Sequence, residues 1–165
     1  MNMLDMLRRT GGLSAISNRL EISPAQSAQV ADAFIPFLIA GFRRVFERAG
    51  QNGLLFQLES LGGEEMAQAV LMPHDIAASA GDAALRLAFG SREGARRVEF
   101  ELRGAGGVEP EQLREAMRLF AMLLGGYLAA RAEREEIRAS DDMGTLLAMD
   151  GNDDPLDAIL PVGQE

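Results

Sequence analysis

Two long segments with helical spacing of apolar residues constrain this chain more than any other feature of its sequence. The first opens at Ser23-Pro24, with Gln26 three residues after the serine. This combination supplies an N-cap hydroxyl, a proline at the first helical position and a capping-box partner. The pattern predicts a helix that ends near Ala49, before Gly50. The apolar positions that define it are Val30, Phe34, Phe37 and Leu38.

The second long segment opens at Pro110 and predicts a helix that runs to about Ala139. Each segment contains an apolar run, from Ala33 to Phe42 in the first and from Leu119 to Ala130 in the second. Both runs are shorter than the roughly 17–25 residues that a membrane-spanning helix needs. They therefore predict buried core helices, the first of them kinked at Pro36 because a proline ring clashes with the preceding turn.

The two long segments match each other when the sequence is shifted by 86 residues. The aligned pairs are Ile22 with Val108, Pro24 with Pro110, Gln26 with Gln112, Phe34 with Phe120, Leu38 with Leu124 and Ala40 with Gly126. A shorter helix that begins at Gly12 precedes the first long helix, and one that begins at Gly90 precedes the second. We therefore predict an internal duplication, in which a short helix and a long helix occur twice. Gly41 and the Gly125-Gly126 pair are predicted to let the two long helices approach closely.

Shorter segments fill the rest of the helical body. Short helices are predicted around Leu4 and Leu7, and from Leu13 to Leu20. Glycine pairs and a proline divide the stretch from Leu54 to Phe89 into short apolar pieces, which predict short helices in a turn-rich layer. Ser91 predicts the N-cap of a further helix with Ala95, Val98 and Leu102 on one face. Residues 98–102 also alternate like a strand, and we favour the helix. The predicted fold class is all-α, a compact multi-helix array.

The side-chain inventory closes several branches of chemistry. The chain has no Cys, which excludes disulfides, thiolate metal sites and cysteine nucleophiles. All 16 basic residues are Arg, which excludes Schiff-base and P-loop lysine chemistry. The single histidine, His74, lies beside Asp75, and one such pair is not a coordination set. We therefore expect no metal and no cofactor. No secretory signal is recognisable, so we expect a cytoplasmic protein.

Most of the net charge of the chain lies in the last 26 residues. The formal net charge is -9, and residues 140–165 contain seven acidic residues and no basic one. The chain thus divides into a helical domain, 1–139, and an acidic C-terminal tail, 140–165, with short amphipathic segments. The last such segment contains Leu156, Ile159 and Leu160. Isolated helices this short are marginal in water. We therefore expect a mobile tail, dispensable for folding, that docks on a partner through these three residues.

Three motifs of the helical body belong together. They are Ile22-Ser23-Pro24, then Phe34-Ile35-Pro36-Phe37-Leu38 followed by Gly41, and Phe89-Gly90-Ser91-Arg92 leading to Arg97-Val98. Over residues 1–131 the chain resembles the bacterial YidB-like proteins, the family numbered 937 among the domains of unknown function. Residues 155–160 resemble a closing segment common in such proteins. The resemblance implies an all-helical array and no established activity. Similar proteins often carry a histidine where this chain has Leu87, so no histidine-dependent role is implied.

One helix start has the chemistry of an anion site. Ser91 opens a helix that carries Arg92 and Arg96, and helix N-terminal amides and guanidinium groups both favour phosphate. The candidate anion-binding residues are therefore Ser91, Arg92 and Arg96. The alternative is a plain serine cap on a solvated helix, because Glu93, Glu99 and Glu101 offset part of the charge.

These features favour a non-enzymatic interaction module that docks a protein partner, or its own copy, through apolar surface and tail. Four methionines, Met66, Met72, Met117 and Met122, either line an adaptable groove or fill the core. Two other functions stay open: an anion or nucleotide sensor at the Ser91 helix start, and an enzyme with a concealed carboxylate site between Gly62 and Gly90. We expect no nucleic-acid binding, because aromatic residues do not interleave with the arginines and the acidic tail would compete for them.

Overall fold

A central helix surrounded by the other helices organises the fold. The computed structural model describes Leu7, Arg9, residues 11–72 and residues 78–134. The helices with described bounds are α1 (Gly12–Leu20), α2 (Pro24–Ser60), α3 (Glu64–Leu71), α4 (Ala78–Phe89), α5 (Arg92–Glu101) and α6 (Pro110–Arg134). A 3-10 turn, Ala105–Gly107, lies between α5 and α6. No strand occurs in these ranges, so the all-α array predicted from the sequence is confirmed.

Helix α6 forms the centre. Every residue from Leu119 to Ala130 is buried, and α6 packs mainly against α2, α3 and α4. A helix that is apolar on all sides is stable only when other elements surround it. The predicted core helix is therefore confirmed here. The corresponding run in α2 is buried on one side only, since Pro36 is exposed and Phe37 is half-buried.

A glutamine in the first turn of each long helix binds the segment that leads into the other long helix. Ser23 and Gln26 form the predicted capping box, with reciprocal hydrogen bonds of 3.0 and 3.1 Å. The Gln26 Nε2 also donates to the carbonyl oxygen of Gly106 at 3.2 Å, and the Gln112 Nε2 donates to that of Leu20 at 3.2 Å. Both the donors and the acceptors of these two bonds are separated by 86 residues, the offset of the predicted repeat.

The short helices do not keep that offset. Gly12 and Arg92, the first residues of α1 and α5, are 80 residues apart. Helix α1 packs chiefly on α2, whereas α5 packs chiefly on α4. The internal duplication therefore stays a prediction, which the contacts of the long helices support and those of the short helices do not.

Helix α2 consists of two helical pieces that meet at a kink at Gly50. The backbone leaves helical values at Gly50, with φ 78° and ψ 174°, but the helix resumes at once and ends at Ser60. The predicted end near Ala49 therefore coincides with the end of the first helical piece of α2, and the predicted piece that starts at Leu54 belongs to the second. Leu54 and Leu58 lie one turn apart and are fully buried. Their burial places the second piece of α2 in the common core. The residue with non-helical dihedral angles is Gly50 and not Pro36, where the kink was predicted.

The glycines of the long helices contact short helices. A Cβ atom on Gly41 would lie 2.4 Å from the carbonyl oxygen of Ala88 in α4, and one on Gly126 would lie 2.6 Å from the backbone nitrogen of Ala67 in α3. The prediction that the glycines bring α2 and α6 together is therefore wrong for Gly41 and Gly126, whereas a Cβ atom on Gly125 would lie 3.2 Å from the Leu58 side chain of α2. The long helices contact each other through large side chains, including two phenylalanine rings whose centroids are 6.3 Å apart.

Arg19 joins α1 to the carboxyl end of α3. Its Nε donates to the carbonyl oxygen of Val70 at 2.8 Å, and its Nη2 donates to those of Ala69, also at 2.8 Å, and Met72. The last carbonyl groups of a helix have no partner within the helix and carry its negative partial charge. A guanidinium group satisfies both requirements at once.

We expect Arg19→Met to lower the free energy of unfolding by about 1–2 kcal/mol, because charged hydrogen bonds to these carbonyl groups are lost. Arg19→Lys should recover only part of the loss, since an ammonium group lacks the planar fork. Urea unfolding followed by circular dichroism measures both. The control is Arg48→Met, which removes an exposed arginine of α2. Equal unfolding midpoints for Arg19→Met and Arg48→Met would contradict the role of this contact.

Candidate functional site

The outward side of α5 presents an aromatic ring among arginines. We call this surface the α5 outer face; it consists of Glu93, Arg96, Arg97, Phe100, Glu101 and Arg103. The first five of these residues line an open depression of about 310 Å³. Phe100 is 63% exposed, although it is among the largest apolar side chains of the protein. The guanidinium carbon of Arg103 lies 5.0 Å from the centroid of its ring, within the range of a cation–π contact.

The inward side of α5 is fixed against the core. Val98 and Leu102 are buried, as predicted for this face. Successive helical residues rotate by about 100°, so Phe100 points away from both of them. At the start of α5, the hydroxyl oxygen of Ser91 accepts a hydrogen bond from the N–H of Gly94 at 3.0 Å. The alternation of residues 98–102 therefore belongs to a helix that buries Val98 and Leu102 and exposes Phe100.

Two ion pairs hold α4 and α5 to the central helix. Arg114 of α6 binds both carboxylate oxygens of Glu99, at 3.0 and 3.2 Å. The hydrogen bond and the charge of Glu99 raise the pKa of Arg114. Arg118 binds Asp82 of α4 at 2.8 Å and Glu115 at 3.1 Å. Burial lowers the pKa of Arg118, but these two hydrogen bonds outweigh it, so its pKa is also raised. Both guanidinium groups therefore stay charged.

The α5 outer face has an excess of positive charge. It contains three arginines and two glutamates, and the Oε1 of Glu93 lies 3.5 Å from the Nη2 of Arg97. Within the described parts of the chain, no ion pair involves Arg96 or Arg103. These charges are exposed and screened by salt, so their effect on stability is small and their effect on association is larger.

The predicted anion-binding residues lie at one end of this surface. Ser91 caps α5 through its hydroxyl group, and Arg92 and Arg96 are exposed one helical turn apart. Arg96 lines the depression, whereas Arg92 does not. The serine cap accounts for Ser91 without a ligand, and anion binding by the three residues stays a prediction.

Other predicted sites can now be placed. Three carboxylates are described between Gly62 and Gly90: Asp82 is bound to Arg118, Glu64 accepts a hydrogen bond from Gln68 at 3.4 Å, and Glu65 is exposed. They do not converge in a concealed pocket. Among the described residues, no cluster of acidic or histidine side chains could hold a metal ion, and no helix is long and apolar enough to cross a membrane. His74 and the tail residues Leu156, Ile159 and Leu160 lie outside the described ranges.

The methionines divide between core and surface. Met66, Met117 and Met122 are buried in the core, and Met72 is exposed. They do not line a common groove, so the interpretation of these side chains as core packing is the correct one for three of the four.

Phe100 is the residue that sequence reasoning missed. The signal was present, because a helix with Val98 and Leu102 inward leaves Phe100 outward, with Arg96 and Arg103 four residues before it and three after it. Comparison with known proteins supplies no further guide: no protein-family model, no curated protein and no solved structure matches this chain.

Proposed function

We propose that the protein is a non-enzymatic interaction module that binds a protein partner through the α5 outer face, with Phe100 as the anchor. The observation that carries the proposal is an exposed aromatic ring stacked by Arg103, on a helix whose opposite side is buried. Aromatic residues and arginines are the residue types that dominate the binding energy of protein interfaces.

The charge of the face indicates the chemistry of the partner. Arg96, Arg97 and Arg103 surround the ring and favour acidic groups, whereas the ring and the depression beside it favour an apolar side chain. We therefore propose a partner segment that carries aspartate or glutamate next to leucine, isoleucine or a similar residue. The proposed YidB-like membership is compatible with this function and adds no activity to it.

Selection from a library of displayed peptides on the full chain tests the proposal. The selected peptides are expected to be acidic and apolar, because they must match the arginines and the ring together. Phe100→Ala should weaken their binding at least tenfold, as truncation of a central interface residue costs about 2 kcal/mol. Arg96→Glu should also weaken the binding, and the loss of affinity should be larger for peptides that contain more acidic residues.

The matched control is Phe56→Ala, since Phe56 of α2 is also an exposed ring, at 73%. This variant should bind the selected peptides like the wild-type chain. Peptides that bind the Phe100→Ala and wild-type chains equally, or a selection that enriches no acidic and apolar sequence, would contradict the proposed function.

A further inference from the structure

We infer that residues 153–160 of the same chain bind the α5 outer face and compete there with an external partner. The inference rests on the function proposed above and names the occupant of the face when no partner is bound. It gives the acidic tail a specific place on the helical domain.

The segment and the face are complementary in charge and in apolar character. Residues 153–160 contain Asp153, Asp154 and Asp157 and no basic residue, and their apolar side chains Leu156, Ile159 and Leu160 follow helical spacing. The α5 outer face offers three arginines around the ring of Phe100 and a depression large enough for side chains of leucine size. The aspartates of the segment therefore match the arginines of the face, and its apolar side chains match the ring and the depression.

The attraction is local to this region of the surface. The described residues contain arginines and acidic residues in equal number, 14 each, so they carry no net charge. The 18 residues from Arg86 to Arg103 contain five of these arginines and three glutamates, a net charge of +2. An acidic segment is therefore attracted to this stretch more than to the helical body as a whole.

The segment is long enough to reach the face. Arg114, which binds Glu99 of α5, precedes Arg134 on α6 by 20 residues, a distance of about 30 Å along the helix axis. From Arg134 to Asp154 there are another 20 residues, which span up to about 65 Å when extended. The chain between them covers the distance with length to spare.

The same tether favours the chain's own segment over that of a second copy. A linker of this length holds its segment at an effective concentration of about 1 mM. In a solution of protein at about 1 µM, the segment of another copy is roughly a thousandfold more dilute than that. Binding within one chain therefore dominates wherever the geometry allows it.

Tryptophan fluorescence tests the inference, because the chain contains no tryptophan of its own. Phe100→Trp places a single reporter on the face and keeps an aromatic ring for Arg103. It is compared, in the full chain, with the same variant that also carries Leu156→Ser, Ile159→Ser and Leu160→Ser. With the natural tail we expect emission at shorter wavelength and a roughly twofold or larger reduction in acrylamide quenching, since a segment at millimolar effective concentration covers the ring. Ionic strength of about 1 M should reduce this protection.

The matched control places the reporter elsewhere. Phe56→Trp, with and without the three serine substitutions, should show the same emission and quenching in both chains. Equal quenching at position 100 with either tail, or a tail effect of equal size at positions 56 and 100, would overturn the inference. A tail effect that increases between about 1 and 100 µM protein would also overturn it, because it would assign the segment to a second copy.

The two proposals fail separately. If the tail covers the reporter but no selected peptide depends on Phe100, the proposed binding of an external partner is wrong and the contact within the chain stands. The opposite outcome is that the selected peptides require Phe100 and bind the chain with the natural tail and the chain with the serine-substituted tail with equal affinity. In that case the inference is wrong and the proposed function stands. When both hold, the serine substitutions should raise the affinity for the peptides severalfold, because they remove the competitor.

Discussion

Gly126→Ala is expected to lower the free energy of unfolding by about 2–3 kcal/mol, as for other insertions of a methyl group into a tight core. A Cβ atom at this position would lie 2.6 Å from both the backbone nitrogen and the Cβ of Ala67 in α3. These atoms belong to the start of a helix and yield only if α3 moves as a unit. Urea unfolding followed by circular dichroism measures the loss.

The neighbouring glycine provides the matched control. A Cβ atom on Gly125 would meet the tips of the Leu58 and Met66 side chains at 3.2 Å, and both tips can rotate away. The same substitution there gains up to about 1 kcal/mol of helix propensity, which offsets the crowding. Gly125→Ala should therefore stay within about 1 kcal/mol of the wild-type chain. Equal losses for the two variants would contradict the close contact of α6 with α3.

This pair of glycines shows where sequence reasoning stops. Gly125 and Gly126 are identical neighbours in an apolar run, and the sequence correctly predicted that small residues at this point admit another helix. For Gly126 it named the wrong partner, because the choice between α2 and α3 depends on which side of α6 each of these helices occupies. That arrangement is set by packing between distant parts of the chain and has no local signal.

Features encoded within a few residues were predictable. The capping box of Ser23 and Gln26, the serine cap of α5 and the buried run of α6 all depend on short-range spacing, and the structure contains each of them. The break of α2 at Gly50 was predictable in the same way. The burial of Leu54 and Leu58 beyond it was not, because it depends on the common core formed by distant parts of the chain.

The candidate site could be predicted from the sequence in part. Arg96 was singled out for its position after a helix start, and its chemistry was assigned to anions together with Ser91 and Arg92. The ring of Phe100 changes that interpretation, because an exposed aromatic side chain beside arginines fits a protein segment better than a phosphate group alone. Helical rotation from Val98 would have placed the ring outside, so this part of the site was within reach of the sequence.

Phe34→Ala is expected to have the largest effect of all, a loss of about 3–5 kcal/mol in the free energy of unfolding. Phe34 is fully buried and lies between two other rings, with centroid distances of 6.1 Å to Phe89 and 6.3 Å to Phe120. It therefore joins α2 to both α4 and α6. Tilted pairs of this kind contribute about 0.5–1.5 kcal/mol each beyond the burial of area, and the substitution removes both of them and leaves a cavity.

The control for Phe34→Ala is Phe56→Ala, which truncates an exposed ring of the same helix and should change the free energy of unfolding by less than about 0.5 kcal/mol. Domains of this kind are stable by only about 5–15 kcal/mol, so Phe34→Ala brings the chain close to unfolding at ordinary temperature. The damage should also reach the candidate site, because Phe89 ends α4 and its carbonyl oxygen lies against Gly94 of α5, where an added Cβ would come within 2.4 Å. Peptide binding by Phe34→Ala should therefore fall together with its stability, whereas Phe100→Ala should lose binding and unfold at the wild-type urea concentration. A Phe34→Ala chain within about 1 kcal/mol of the wild type would show that these three rings do not form the centre of the core.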